Sequence, residues 1–261
     1  MARPSERAGP RWHRDQGRSP IQRSALVRSA SPHTMTPAGW DQLADAGIRT
    51  IIDLRHDWEV TAAPIPDSVL PANVTHAVVP LEPPGYIEAW SGRDDRWKLT
   101  TPLYYGEFLT TNAARVVTVL DAIIDAPLGG VLLHCGSGRD RAGLAVAMLL
   151  DLLDVDHQAI IDDHWLSHDR PEPIEVEMGK QSTLVTRPLS REHHHDALHA
   201  VLRRQPAIGC YSDKSAAETA SKHLADRWCP LDNQPSGPRG GPRQPAPPCG
   251  IAATGAGRGT S

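Results

Sequence analysis

Three kinds of segment can be read from the pattern of apolar and polar positions. Runs rich in β-branched residues and leucine at 50–54, 74–81 and 131–133 predict strands. The last, Val131-Leu132-Leu133, follows Gly129-Gly130 and does not alternate, as expected of a strand buried on both faces of a parallel sheet. Helical spacing places Trp40, Leu43 and Ala44 on one face of a helix that Thr36-Pro37 starts and Gly47 ends. Two further core helices are predicted: one from Pro102 carrying Tyr104, Tyr105 and Phe108, the other at 113–125 carrying Val116, Leu120, Ile123 and Ile124. From Ala142 the chain is apolar nearly all round, through Leu144, Val146, Met148, Leu149 and Leu152, which predicts a buried helix. Asp154-Val155-Asp156 then offers an N-cap for a helix through Ile160, Ile161 and Trp165.

The fold class is therefore α/β, a mostly parallel central sheet of four or five strands flanked by helices. Residues 1–34, rich in Arg, Ser and Pro, read as a largely flexible arm, and 35–180 as the α/β domain. Residues 181–231 form a divergent helical region, and 232–261 a disordered tail of Gly, Pro, Ala, Arg and Ser. Between Pro83 and Lys98 lies a polar loop with Trp90, Asp94, Asp95 and Trp97, either a lid or plain surface.

Charge and composition exclude more than they identify. The 261 residues carry a net charge of -4, so nothing marks a nucleic-acid or membrane surface, and any positive site must be local. Arginine supplies nearly all the basic charge and Phe108 is the only phenylalanine, a composition typical of a GC-rich bacterial gene. Cys135, Cys210, Cys229 and Cys249 show no Cys-x-x-Cys spacing, which favours a reducing, cytoplasmic setting. There is no signal-peptide core and no apolar run long enough for stable membrane insertion; export without a cleaved signal stays open. The oligomeric state is not legible.

The chemistry concentrates between the 131–133 strand and the helix that follows. Cys135 opens a loop with Gly136 and Gly138 in its turn and Arg141 six positions on. Successive backbone N–H groups of Gly136, Ser137, Gly138 and Arg139 can point into one concavity closed by a helix N-terminus, a nest for a tetrahedral oxyanion. A thiol there is expected to have its pKa lowered into the range of roughly 3.5–7.5 seen for activated cysteines. Arg141 can grip two phosphate oxygens at once. By topology, Asp53 and Arg55, at the carboxyl end of the 50–54 strand, should share the rim with Cys135; a solvated Asp-Arg pair is the plainer reading. His193-His194-His195 and His199 raise a metal site, with His195 and His199 four apart, but no carboxylate or cysteine partner is evident and a solvated cluster is simpler. No metal and no cofactor is expected.

His134-Cys135, five intervening residues, Arg141 and Gly143 resemble the signature loop of cysteine-dependent protein tyrosine phosphatases. The Gly138-Arg139-Asp140-Arg141 core is similar to the Gly-Lys-Asp-Arg-Thr-Gly version of bacterial tyrosine phosphatases that also accept phosphoserine, phosphothreonine or phosphoinositides. Arg23-Ser24-Ala25-Leu26 and Ile51-Ile52-Asp53-Leu54-Arg55 extend the resemblance, which covers roughly residues 14–170. It implies attack by Cys135, phosphate binding by the loop and Arg141, loop orientation by His134, and proton donation by Asp140 or Asp53, with Asp140 favoured. The implied partner is a phosphorylated protein or phosphoinositide substrate, and no nucleic acid. Two departures stand out. Arg139 replaces the usual lysine but keeps its charge, and Ala142 replaces a Ser or Thr whose hydroxyl is implied to help the cysteine leave. Two other classes remain: a catalytically silent phosphate-binding module, and a thiol-based arsenate reductase or sulfurtransferase, for which no second cysteine lies nearby in sequence.

Overall fold

The computed structural model describes residues 24–168 and 189–228. Four strands, β1 (Leu26–Ser29), β2 (Ile48–Asp53), β3 (Thr75–Val78) and β4 (Gly130–His134), form one parallel sheet in the order β1-β4-β2-β3. The helices are α1 (Pro37–Asp45), α2 (Asp57–Ala62), α3 (Tyr105–Ile124), α4 (Arg141–Leu152), α5 (His157–Leu166), α6 (Arg191–Arg204) and α7 (Lys214–Trp228).

The pleat sorts the strand residues onto two cores, since successive side chains point to opposite faces. Ile52 and Leu54, with Val131 and Leu133, join the large core that also holds Phe108, Leu120, Met148, Leu198 and Trp228. Ile48, Ile51 and Leu132 pack instead with Trp40 and Ala44 of α1. Both faces of β4 are thus covered, which is why its sequence does not alternate. The described part of the 181–231 region is helical, and α6 and α7 pack into the same core as α3 and α4.

Several expectations shift. The span expected as a flexible arm contains β1, which pairs with β4 from Leu26↔Val131 to Ser29↔His134. Its four residues include a buried arginine, Arg28, so no apolar pattern announced a strand. Residues 1–23, including Arg23, lie outside the described residues, as does the tail at 232–261. The strand expected at 74–81 pairs only at Thr75–Val78, because Pro80 brings no N–H to the ladder, although Leu81 N still reaches Leu54 O at 3.4 Å. The two helices expected from Pro102 to 125 are one, α3, interrupted by non-helical backbone at Asn112. There the Asn112 amide donates to Phe108 O at 3.3 Å, a side-chain bond that competes with the helix.

The polar loop before α3 is tied down. Trp90 is buried in the core with the Arg93 guanidinium 3.7 Å from its ring centre, and Arg93 pairs with Asp95 and Glu107. Among the described residues no helix is long and apolar enough to cross a membrane.

Candidate active site

The loop at 135–140 is fixed through its carbonyls. Ser31 N donates to Gly136 O at 2.9 Å, and Arg28 Nη1 to Gly138 O at 2.9 Å. The Tyr105 hydroxyl donates to Asp140 O at 2.8 Å. Arg28 is itself held by the Asp163 carboxylate at 3.2 Å and by Ser167 Oγ at 2.6 Å, so β1 and α5 grip the loop between them. Gly138 has φ +72°, and a Cβ there would lie 2.3 Å from the Ser29 carbonyl; no other residue fits. With its carbonyls engaged outward, the loop turns N–H groups inward, and those of Gly138 and Ala142 bond the Cys135 sulfur. Gly136, Ser137 and Arg139 are partly exposed around it, with Arg139 N 3.4 Å from Ser137 Oγ.

Arg141 opens α4 and is gripped from α2. Its Nη2 donates to Glu59 Oε1 at 2.8 Å and its Nη1 to Glu59 Oε2, while Nε lies 3.8 Å from Glu82 Oε2. Glu59 is set in place by accepting from His56 N at 2.9 Å, and the His56 ring meets Glu82 at 3.0 Å. Burial raises the Glu59 carboxyl, but the hydrogen bond and charge of Arg141 outweigh it and hold the carboxyl below its ordinary value.

Cys135 is buried, 1% exposed. Burial pushes its thiol up, Arg141 and the two N–H groups pull it down, and the balance stays above the ordinary value. This departs from the lowered thiol expected from the loop alone. The physical reason is that the sulfur is shut away from water, and this desolvation, with the nearby Asp140 carboxylate, outweighs the pull of Arg141 and the two N–H groups.

The two aspartates have different surroundings. Asp53 is fully buried at the end of β2, with Arg55 donating to it from Nε at 2.9 and 3.0 Å and from Nη2 at 2.6 Å. Burial raises its carboxyl, yet the His76 ring 3.6 Å away and the hydrogen bonds from Arg55 prevail and hold it far below the usual range. Arg55 goes on to Ala63 O at 2.9 Å, so Asp53 and Arg55 form a strut between β2 and the end of α2. Asp140 is partly buried; burial raises its carboxyl, against the opposing pull of Arg139 at 3.4 Å. Its Oδ1 has no hydrogen-bond partner. His134, beneath the loop, is buried and lowered to about 4 by desolvation, which keeps it neutral.

Sequence patterns had not singled out Arg28, Glu59 or Glu82. A usable signal existed for Glu59, which stands three residues after His56 as in a capping box. The sequence pattern marks Tyr105 only as core, whereas its hydroxyl also meets His164 Nε2 at 2.8 Å. His194 is buried against His164, whereas His195 meets Gln158 at 2.9 Å and stacks on His199. His195 and His199, raised as a metal pair with a solvated cluster as the simpler reading, form a ring stack on the surface side of α6.

A family model described as "Tyrosine phosphatase family" matches residues 10–226. The triple specificity protein phosphatase PtpB of Mycobacterium tuberculosis is 40% identical over 70 residues, 25% of this chain and 24% of that protein. A tyrosine-protein phosphatase of Nostoc commune is 28% identical over 153 residues, 56% of this chain and 49% of that one. The chain therefore spans about half or less of the length of these curated relatives.

Two outcomes follow from the buried charges. Glu59→Gln removes the negative charge that offsets Arg141, so the pH midpoint for alkylation of Cys135 by iodoacetamide should move down; an unmoved midpoint would show that the sulfur does not sense that charge. Asp53→Asn leaves Arg55 buried without its partner and should cost about 3–5 kcal/mol at neutral pH, read by urea unfolding. Because the folded-state carboxyl lies below its unfolded value of about 3.9, this stabilisation is present above that pH and is lost as pH falls further. The gap between variant and wild type should accordingly close in acid, and equal stability at neutral pH would remove the strut.

Proposed function

The chain belongs to the tyrosine phosphatase family, and from that premise we propose that it is a cysteine-dependent phosphatase acting on phosphomonoesters. One observation carries the reading: the Cys135 sulfur accepts N–H bonds from Gly138 and Ala142 in the same turn that places Arg141 beside it. In the proposed reaction the Cys135 thiolate attacks phosphorus in line, a sulfur–phosphorus bond forms, and the bond to the leaving oxygen breaks. The N–H groups of Gly136, Ser137, Gly138 and Arg139 and the Arg141 guanidinium hold the three equatorial oxygens. Arg141 gives Glu59 two of its five N–H groups, so donors remain for phosphate.

Asp140 is the proposed proton donor to the leaving oxygen. It sits in the loop, its raised carboxyl favours the protonated form, and its Oδ1 is uncommitted. Asp53 is the weaker candidate, because its carboxylate is spent on Arg55. In the second step water attacks the phosphocysteine, Asp140 takes the proton, and phosphate leaves as the thiolate returns. His134 acts as a positioning residue, stacked under the loop with Nδ1 3.3 Å from Cys135 O.

The depth of the sulfur supports phosphotyrosine as the substrate, because an aryl arm carries phosphate further in than a serine or threonine side chain does. Arg139, at the mouth with 23% of its side chain exposed, suits a second phosphate or acidic group, as on a phosphoinositide or an acidic phosphopeptide.

Hydrolysis of an aryl phosphate without added metal should be abolished in Cys135→Ser and blocked by vanadate. Vanadate binding without turnover in the wild type would instead identify a phosphate-binding module. Since Ala142 adjoins the sulfur and lacks a hydroxyl, the wild type should show a product burst followed by slow turnover, and Ala142→Thr should speed the slow phase. Burst-free kinetics that the substitution leaves unchanged would count against that role.

A further inference from the structure

Behind the phosphate loop lies a group of side chains that the proposed reaction does not use. His164 on α5, His168 just beyond it and His194 on α6 each offer a ring nitrogen, and these nitrogens all lie within 4.8 Å of one another. His164 is 2% exposed and His194 fully buried. His164 and His168 stand four apart, on one face of a helical turn, as two ligands of one ion require.

The hydrogen bonds fix which nitrogens face one another. The single Tyr105 hydroxyl proton goes to Asp140 O, so Tyr105 must accept from His164 Nε2–H at 2.8 Å. His164 Nδ1 is then an acceptor, taking the His194 Nε2–H at 3.0 Å, and a metal ion would take the place of that proton between the two nitrogens. His168 Nδ1 donates to His164 O at 3.3 Å, which leaves the lone pair on His168 Nε2, buried without a partner. Each of these two rings is thus oriented by a bond from its other nitrogen, the outer-shell arrangement that metal-binding histidines show. The nearest carboxylate oxygen to His168 Nε2 is the uncommitted Asp140 Oδ1, 3.9 Å away. Gly143 makes room, since a Cβ there would come within 2.6 Å of His164 Nε2.

We propose that His164, His168 and His194 bind one zinc ion, which clamps α5 to α6 behind the phosphate loop. Residues 169–193 separate the second ligand from the third. An ion held by ligands that only the fold brings together stabilises the folded chain by binding it and not the unfolded one. The other close group, Asp53, His76 and His134, is unsuited, because Arg55 already occupies the Asp53 carboxylate.

The test uses the full-length chain, untagged, with Cys135→Ser to remove the thiolate, titrated with zinc and with cobalt(II). One equivalent of either metal should bind, with the absorption of tetrahedral cobalt and without a thiolate charge-transfer band. His168→Gln and His194→Gln should weaken binding by at least about tenfold, while His195→Gln and His199→Gln, on the neighbouring stacked pair, should leave it unchanged. No stoichiometric binding, a thiolate band, or loss only in the His195 and His199 variants would each overturn the site. Should the inner variants fail to fold, X-ray absorption on the zinc-loaded chain decides: three imidazoles support the clamp and fewer refute it.

Discussion

A guanidinium placed beside a buried thiol has to be neutralised within hydrogen-bonding distance, and in this protein Glu59 does it. That pairing sets the rest of the site. It requires α2 to follow β2 closely enough for Glu59 to reach across to the start of α4, and the Asp53–Arg55 strut fixes that approach. It also bears on the sulfur, where the pull of Arg141 toward a thiolate works against the cost of burying that charge. A phosphate entering the loop competes for the same guanidinium, so Glu59 orients Arg141 and tempers it at once.

The phosphate loop is held from outside in a similar way. Arg28, from a strand at the sheet edge, spends its two terminal nitrogens on Gly138 O, Asp163 and Ser167, so one buried charge locks β1, the loop and α5 together. Tyr105 joins α3 to the loop and to His164. The histidine group therefore belongs to the loop's support, and an ion there would stiffen the side of the loop away from substrate.

Much of the fold was legible because it follows from local chemistry. β4 shows as an unalternating apolar run, α4 as a helix apolar all round, and Thr36 and Asp156 as caps, each of which accepts the expected backbone N–H. β1 was hidden because it carries Arg28, and burial of an arginine depends on partners more than 100 residues away. The break at Asn112 was legible as a boundary between two helices, although its side chain bends one helix where two were expected.

The sequence by itself determined the loop: its glycines, its cysteine and its arginine all fall within residues 135–141, and local backbone geometry does the rest. It could not determine how those groups are charged. Glu59 stands 82 residues from Arg141, His194 stands 30 from His164, and Asp53 and Asp140 are equivalent carboxylates until their neighbours are known. Proton affinity depends on solvent exclusion and on charges within a few ångströms, and folding alone decides which distant residues supply them.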